Sequence, residues 1–371
     1  MRILAGSPSK SLVLAAVMLL GSVATCFAQK LPKARRVWSV EPLATSQPVA
    51  GIGFGREAKS PTRPRVDTQT GSVFSATRSV VFAGDRIVIQ SNVGMRNVEG
   101  AKVPEQVYQL LSLDVETGEV KDRREISTFG SLQVFATNDA HVIISGRTVM
   151  RFTPDLRDAG SFDYHASGHM FGNVATVSPD GSTLGNATSP GLELVDARTL
   201  TATTLTDRPI DATSVSSKAA VSDSPWWIED YPKEKSFVTL TDEKGQHLIF
   251  HGNCGGRPQF LSDVRVLTAS CKIARILDMQ GNILKTISLH EAVSFAGVSQ
   301  DGKRFALQVA SSDAHSVKHE RFVVYSVELG EPVTEVTPDE PAEVQSWTAF
   351  SSDGSMIVVG SPLRLTLYRL P

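Results

Sequence analysis

Residues 349–371 read AFSSDGSMIVVGSPLRLTLYRLP. A short apolar segment is followed by a Ser-Asp-Gly turn, a second apolar segment at 356–360, a break at Pro362 and a third segment at 363–370. Short apolar segments separated by Gly- and Pro-containing turns are typical of β-strands. Three strands alone would leave an unpaired edge, which natural sheets usually cover. The sequence therefore predicts that a fourth strand is supplied from elsewhere in the chain.

The same turn is repeated along the chain. Asp suits a tight turn because its side chain bonds to its own backbone, and Gly suits it because it tolerates positive φ. Each copy therefore predicts a hairpin between a first and a second strand, in which the aspartate has a structural role. The copies are VSPDGSTL at 177–184 with Asp180, VSQDGKRF at 298–305 with Asp301, and FSSDGSMI at 350–357 with Asp353.

A second repeated element alternates with the first. It is an apolar strand that ends in an acidic, Gly-containing turn, and each copy predicts a hairpin between a third and a fourth strand. Alternation of the two elements at a spacing of roughly 40 to 50 residues is typical of a β-propeller. Helical periodicity is nearly absent after the N-terminus, which favours an all-β class. The copies are LLSLDVETGEV at 110–120, FVTLTDEKGQHLIF at 237–250, ARILDMQGNIL at 274–284 and FVVYSVELGEPV at 322–333.

The spacing predicts a seven-bladed β-propeller of four-stranded antiparallel blades. The missing strand of the last blade is RRVWSVEPL at 35–43, which otherwise stands alone before a long loop at 44–71. The N-terminal strand would then complete the C-terminal blade, which closes the ring and protects both edges. The predicted blades cover 73–126, 132–163, 172–206, 211–251, 257–289, 294–337 and, with only three strands, 346–371.

These repeats resemble those of bacterial secreted WD40-like propellers, in which SPDG turns of this kind recur. The resemblance covers nearly all of the chain after residue 28 and implies a fold, not an activity. The Trp-Asp dipeptide of eukaryotic WD40 repeats is missing. So is the tryptophan that usually follows the Thr-Gly turn in quinone-cofactor propellers, because Gly118 leads into EVKDRREI. A pyrroloquinoline quinone enzyme is therefore disfavoured, and no cofactor is predicted.

The N-terminus predicts export. Arg2 and Lys10 precede the apolar run SLVLAAVMLLGSVA and the small residues of TCFA, which is the pattern of a signal peptide at 1–28 with cleavage after Ala28. A lipid on Cys26 is an alternative that Thr25 fits poorly. No later segment approaches the roughly 20 apolar residues of a membrane span. Residues 29–371 are therefore expected to form a single propeller domain that is periplasmic or secreted.

Charge and cysteine content limit the kinds of partner and metal site that we expect. The chain has 37 basic and 39 acidic residues, and loss of Arg2 and Lys10 with the signal peptide changes the net charge from −2 to about −4. Nucleic acid binding needs a concentrated basic surface, so we expect no nucleic acid partner. Cys254 and Cys271 remain after cleavage, and an oxidising compartment favours a disulfide between them. Two cysteines without a further pair argue against a structural zinc site.

The unusual segments are predicted to share one face of the propeller. In a four-stranded blade the turns between strands one and two and between strands three and four share one face, which we call the turn face. The remaining loops share the opposite face, the loop face. Binding residues are most often found on loops that a rigid scaffold holds in place. The loop face therefore becomes the predicted binding surface, and it carries SNVGMRNVEGAKVPEQ at 91–106, FDYHASGHMFG at 162–172, SPWWIEDYPKE at 224–234, HGNCGG at 251–256 and SSDAHSVKHER at 311–321.

An aromatic segment is the first candidate site on the loop face. Trp226 and Trp227 stand with Glu229 and Tyr231 between two prolines, which marks the segment as a loop. Aromatic side chains beside acidic groups are typical of platforms for sugars or peptide anchors. These four residues are predicted to bind a partner. The alternative is that the tryptophans pack in the core.

Two histidine pairs are the second candidate. His165 with His169 and His315 with His319 are predicted binding residues of the loop face. Imidazoles that converge from two loops suit zinc or copper, so metal ligation is an alternative. A spacing of four residues does not by itself bring two rings together outside a helix. We therefore predict no metal site.

The sequence favours binding over catalysis. No pair of carboxylates stands out for glycoside hydrolysis, and no Gly-x-Ser-x-Gly motif is present for an esterase, so no catalytic residue is predicted. The expected function is that of an exported, monomeric, non-catalytic binding or scaffolding module, which contacts an envelope or extracellular protein or glycan through the loop face. The alternative is a propeller enzyme, a lactonase, lyase or hydrolase, that depends on metal through the histidines.

Overall fold

In the part of the chain that it describes, the computed structural model shows 28 β-strands. It describes residues 31–41, 77–97, 104–128, 132–145, 148–163, 175–187, 191–206, 212–216, 226–231, 237–242, 245, 248–251, 258–262, 264–270, 272–312, 318–338, 347–360 and 364–371. Nowhere in these ranges does the chain form a helix long and apolar enough to cross a membrane.

The strands form seven four-stranded antiparallel sheets, six of which follow chain order. Strand β1 (Arg35–Val40) belongs to the last sheet. Sheet 1 contains β2 (Thr77–Ala83), β3 (Arg86–Arg96), β4 (Glu105–Asp114) and β5 (Val120–Thr128). Sheet 2 contains β6 (Gln133–Ala136), β7 (Val142–Ser145), β8 (Thr148–Phe152) and β9 (Asp158–Asp163). Sheet 3 contains β10 (Ala175–Val177), β11 (Thr183–Ala187), β12 (Leu192–Asp196) and β13 (Ala202–Thr206).

The second half of the chain repeats this organisation. Sheet 4 contains β14 (Ala212–Ser216), β15 (Trp226–Tyr231), β16 (Phe237–Asp242) and β17 (Leu248–His251). Sheet 5 contains β18 (Gln259–Ser262), β19 (Arg265–Ser270), β20 (Ile273–Asp278) and β21 (Ile283–Ser288). Sheet 6 contains β22 (Val293–Val298), β23 (Arg304–Ser312), β24 (Lys318–Ser326) and β25 (Pro332–Val336). Sheet 7 contains β26 (Trp347–Phe350), β27 (Met356–Gly360) and β28 (Leu365–Arg369), followed in space by β1.

The sheets are arranged in a ring. Seven clusters of buried apolar residues lie between them, one for each pair of neighbouring sheets. On β3, for example, Val88 packs with Ile144 of sheet 2, whereas Ile87 packs with Val358 of sheet 7. Side chains alternate between the two faces of a strand, so alternate residues of an apolar strand pack against the neighbouring sheets on either side. An all-β propeller with four-stranded antiparallel blades is confirmed.

The N-terminal strand completes sheet 7, as predicted. Strand β1 pairs with β28 along the register that sets Trp38 opposite Leu367. Just before β1, Lys33 forms a parallel bridge with Glu335 of sheet 6. Within β1, the Trp38 indole N–H donates to the Val115 carbonyl in the β4–β5 turn of sheet 1 at 2.7 Å. The segment 33–40 therefore contacts three consecutive sheets and joins the two ends of the chain.

Candidate functional site

The turns of the turn face are closed by their own side chains. The Ser351 hydroxyl donates to Asp353 Oδ1 at 2.7 Å, and the Ser355 N–H and hydroxyl donate to the same oxygen at 3.0 and 2.9 Å. Burial by itself would raise the pKa of Asp353, but these hydrogen bonds outweigh it and lower the pKa. Asp180 and Asp301 accept the equivalent bonds in their own turns. The predicted structural role of the three aspartates is confirmed.

Two further copies of this turn lack glycine. In sheet 2 the Thr137 hydroxyl donates to Asp139 Oδ1 at 2.5 Å and accepts from the His141 N–H at 3.0 Å. Ala140 takes the position of the glycine with a φ of 62°, which few residues with a side chain adopt. A search for Ser or Thr two residues before Asp, with any residue after it, would have found these copies. The second one, between β8 and β9, consists of Thr153, Asp155 and Leu156.

The turns between third and fourth strands use a related device. Asp114 Oδ1 accepts from the Thr117 N–H at 2.9 Å, the Thr117 hydroxyl at 3.0 Å and the Glu116 N–H at 3.0 Å. The bonds from Thr117 are the main reason that the pKa of Asp114 is lowered. Asp196 accepts the same three bonds in sheet 3. Oδ1 of Asp114 and Oδ1 of Asp196 are thus bonded within their own turns.

A cavity of about 260 Å³ lies at the turn-face end of the central channel. The first strands of six sheets line it, and five of them contribute a phenylalanine. Gln300, from the turn of sheet 6, reaches across the mouth, where its Nε2 donates to the Ala136 carbonyl of sheet 2 at 3.4 Å. Sheets 2 and 6 are not neighbours, so this contact narrows the mouth.

The middle strands of sheet 1 extend towards the loop face, and their ends carry polar side chains that we call the polar layer. Strands β3 and β4 have 11 and 10 residues, against 4 and 5 in the middle strands of sheet 2. In the extension, Asn92 Nδ2 donates to Gln106 Oε1 at 3.1 Å and the Tyr108 hydroxyl donates to the same oxygen at 2.5 Å. The Ser79 hydroxyl donates to Gln90 Oε1 at 2.8 Å. The apolar contacts between sheets 1 and 2 thus give way to amides and hydroxyls near the loop face.

Some polar atoms of sheet 1 have no hydrogen-bond partner. Gln90 Nε2, Ser91 Oγ and Gln109 Oε1 are buried without one. Gln90 and Ser91 are 0% exposed. An unpaired buried polar group costs about 1–3 kcal/mol, so these atoms are expected to bond an ordered water or a ligand.

A cleft of about 410 Å³ adjoins the polar layer. It separates the outer strands of sheets 1 and 2, and Thr128 in its wall is directly opposite Gln106 in the strand register. Arg124 lies beside the cleft, where its Nη2 donates to both oxygens of Asp158 at 2.8 and 3.0 Å and its guanidinium stacks 4.6 Å from the ring centre of Phe152. The lining consists of Ser127, Thr128, Thr148, Met150, Asp158, Gly160 and Ser161.

The aromatic candidate site differs from its prediction. Trp226 and Trp227 lie in β15, the second strand of sheet 4, and are only 3% and 2% exposed. Trp226 packs against Phe260 of sheet 5, whereas Trp227 packs against Leu192 of sheet 3. Successive strand residues point to opposite faces, so the pair fills both interfaces of sheet 4. The two indoles are core residues and do not form a surface platform.

The other predicted site residues fall where side chains are not described. The backbones of Glu229 and Tyr231 lie in β15, and the backbone of His319 lies in β24 opposite Ser311, so His319 is in a strand and not in a loop. Their side chains lie outside the described part of the structure. So do the whole residues His165, His169, His315, Cys254 and Cys271. Within the described residues, no group of three or more His, Cys, Asp or Glu side chains is arranged to hold a metal ion.

No protein-family model and no curated protein matches the chain. Among solved structures, the chain is similar to the crystal structure of the C-terminal WD40 domain of Sif2, with 12% sequence identity and a TM-score of 0.44 over 80% of this chain and 97% of that one. The strand order and the packing between the sheets define the chain as a β-propeller.

Proposed function

We propose that the protein is an exported, non-catalytic binding or scaffolding module that contacts a protein or glycan through its loop face. The contrast between the two faces carries the proposal. On the turn face, Oδ1 of Asp114 and Oδ1 of Asp353 are bonded within their own turns. At the loop-face end of sheet 1, extended strands carry an amide and hydroxyl layer that adjoins a cleft.

The chemistry of this region suits a neutral polar ligand. Amide and hydroxyl groups both donate and accept hydrogen bonds, as do a peptide backbone and the hydroxyls of a sugar. The one charged side chain in the cleft wall, Asp158, is already paired with Arg124. The predicted binding residues of the same face whose side chains are not described remain part of the proposal. They are Glu229, Tyr231, His165, His169, His315 and His319.

Site-specific photocrosslinking tests which face binds. Asn97 is exposed at the loop-face end of β3, whereas Asp85 lies in the β2–β3 turn on the opposite face with its side chain 84% exposed. A photoreactive residue at each position is irradiated in intact cell envelopes. We expect one adduct of defined mass from position 97 and none from position 85, with equal thermal unfolding of the two variants. Protease or glycosidase sensitivity of the adduct then distinguishes a protein from a glycan.

Several crosslinking results would contradict the assignment of binding to the loop face. An adduct from position 85 alone, or equal yields of the same adduct from both positions, would assign the partner to the turn face or to no particular face. No adduct from either position would remove the support for a stable partner and favour the enzyme alternative.

Export is proposed from the N-terminal sequence alone. The intact mass of the protein isolated from the periplasm or medium is expected to fit a chain that begins at Gln29. The proposed Cys254–Cys271 disulfide is expected to block alkylation until a reductant is added, and light scattering should give the mass of one chain. A chain that retains residues 1–28, or that is alkylated without reduction, would contradict export to an oxidising compartment.

A further inference from the structure

The cavity at the mouth of the channel has an aromatic wall. It is lined by Phe82, Phe135, Phe260, Phe295 and Phe350, each from the first strand of a different sheet. Phe82, Phe260 and Phe350 are 6%, 2% and 6% exposed. Phe135 and Phe295 also pack against the clusters between sheets, but they are only partly buried. Those two rings retain surface that a ligand in the cavity would cover.

The cavity lining carries no charged side chain. Its polar groups come from Ser178, Gln259, Gln300 and Thr348. The Ser178 hydroxyl donates to Asp180, and the Thr348 hydroxyl donates to the Ala296 carbonyl at 2.7 Å. The amides of Gln259 and Gln300 are therefore the groups best placed to bond a ligand. A charged ligand would lose its hydration without gaining a counter-charge, which is strongly unfavourable.

The mouth of the cavity limits the size of what enters. The turn of Gly181 in sheet 3 lies between sheets 2 and 6, since a Cβ on Gly181 would be only 2.9 Å from the Ala136 carbonyl oxygen and 2.9 Å from Gln300 Nε2. The Asn138 N–H also donates to the Gly181 carbonyl at 3.3 Å. Three turns in contact leave little room for an inserted peptide loop, so a small molecule is the better occupant.

The volume indicates a ligand of one or two fused rings. Sites for drug-sized ligands measure about 300–1,000 Å³, and an apolar cavity of about 150 Å³ accommodates benzene. The 260 Å³ of this cavity falls between these values. Aromatic rings pack favourably against phenylalanine edges and faces, which favours an aromatic over an aliphatic ligand.

We propose that this cavity binds a small, uncharged aromatic molecule. Its ring packs between Phe135 and Phe295, and a single polar group bonds the amide of Gln259 or Gln300. The site lies on the turn face, so it is separate from the loop-face partner proposed above and can be tested without it.

Calorimetry with indole and phenol as probes tests the proposal, with benzoate as the charged control. In a Gly297→Leu variant the new side chain would enter the cavity, because a Cβ on Gly297 would lie 3.4 Å from Thr348 Oγ1 and 3.8 Å from the Phe350 ring. Gly297→Ala is the matched control that leaves most of the volume open. We expect saturable one-site binding of indole to the wild type and Gly297→Ala, at least tenfold weaker binding to Gly297→Leu, and at least tenfold weaker binding of benzoate.

Several results would overturn the proposal. These are no saturable binding of either neutral probe to the wild type, equal affinity for benzoate, or unchanged indole affinity in a Gly297→Leu variant that unfolds at the wild-type temperature. A tryptophan-containing peptide that binds as tightly as indole would assign the cavity to a protein partner instead. If Gly297→Leu does not fold, Phe135→Leu replaces it, since removal of that ring should weaken indole binding without filling the cavity.

Discussion

Asp353 fixes its hairpin turn by accepting bonds from Ser351 and Ser355. Its pKa is lowered on folding, so its contribution to stability is present above the unfolded pKa of about 3.9 and is lost as the pH falls through the folded pKa. We expect Asp353→Ala to lower the free energy of unfolding by about 1 kcal/mol at pH 7, since the carboxylate is screened by solvent. Urea unfolding at pH 7 and below pH 4 should show this difference shrinking with acid.

Asp85 provides the control for this measurement. It occupies the corresponding turn of sheet 1, but its side chain is 84% exposed. Its Oδ1 lies 3.7 Å from Arg86 Nε, which is too far for a hydrogen bond. Asp85→Ala should therefore change stability by less than about 0.5 kcal/mol. Equal losses in the two variants would show that the turn bonds of Asp353 do not stabilise the fold.

Ala140 and Gly181 both have positive φ, and opposite substitutions at the two positions test whether this backbone conformation is strained. Ala140 has a φ of 62°, which strains a residue with a side chain, so Ala140→Gly should gain about 0.5 kcal/mol after the entropic cost of glycine. Gly181 has a φ of 71° and no space for a Cβ, so Gly181→Ala should lose about 2 kcal/mol. The midpoints of urea unfolding should move in opposite directions. A destabilised Ala140→Gly variant would contradict the strain assigned to this turn.

At the scale of elements, local turn chemistry made the sheets predictable. The predicted blades at 73–126 and 132–163 correspond to sheets that span residues 77–128 and 133–163. Ser-x-Asp-Gly turns act through neighbouring residues, so a sequence pattern is sufficient to find them. Strand β15 was missed because two prolines flank it and because its tryptophans are set in place by packing from sheets 3 and 5. That packing is tertiary and leaves no local signal.

The candidate sites were harder to predict than the strands. The cavity phenylalanines come from five separate strands, and only the ring brings them together. Gln90, Ser91 and Asn92 in β3 are three consecutive polar residues, a pattern that favours an exposed strand end, although they are 0%, 0% and 8% exposed. Sequence patterns favoured aromatic and histidine-rich loops instead, because those residue types are conspicuous.

Trp38 holds strand β1 against sheet 1. Its indole N–H donates to Val115, and its ring packs against Gly118, where a Cβ would come within 2.9 Å of it. Trp38→Ala should therefore lower the free energy of unfolding by about 3 kcal/mol and speed hydrogen exchange in β1 and β28. Val37→Ala is the matched control, since Val37 is 37% exposed in the same strand. Equal effects of both variants would show that Trp38 does not hold the strand to sheet 1.

At the scale of the whole molecule, one short segment closes the ring. Residues 33–34 pair with Glu335 of sheet 6, β1 forms the outer strand of sheet 7, and Trp38 bonds to sheet 1. The first and last parts of the chain are thereby joined without a covalent link. Loss of the segment should expose the β28 edge and weaken the interface between sheets 7 and 1 together.

Removal of residues 29–41 tests this closure. The truncated chain should unfold at a temperature about 10 °C lower, because several kcal/mol of strand pairing and packing are lost, and its free β28 edge should promote association. A synthetic peptide of residues 31–41 added in trans should restore the unfolding temperature and the monomer, since it carries the strand and Trp38. The same peptide with Trp38→Ala should restore them less well. A truncated chain that stays monomeric and unfolds at the original temperature would show that the ring is held by its other interfaces, and that β1 only covers an edge.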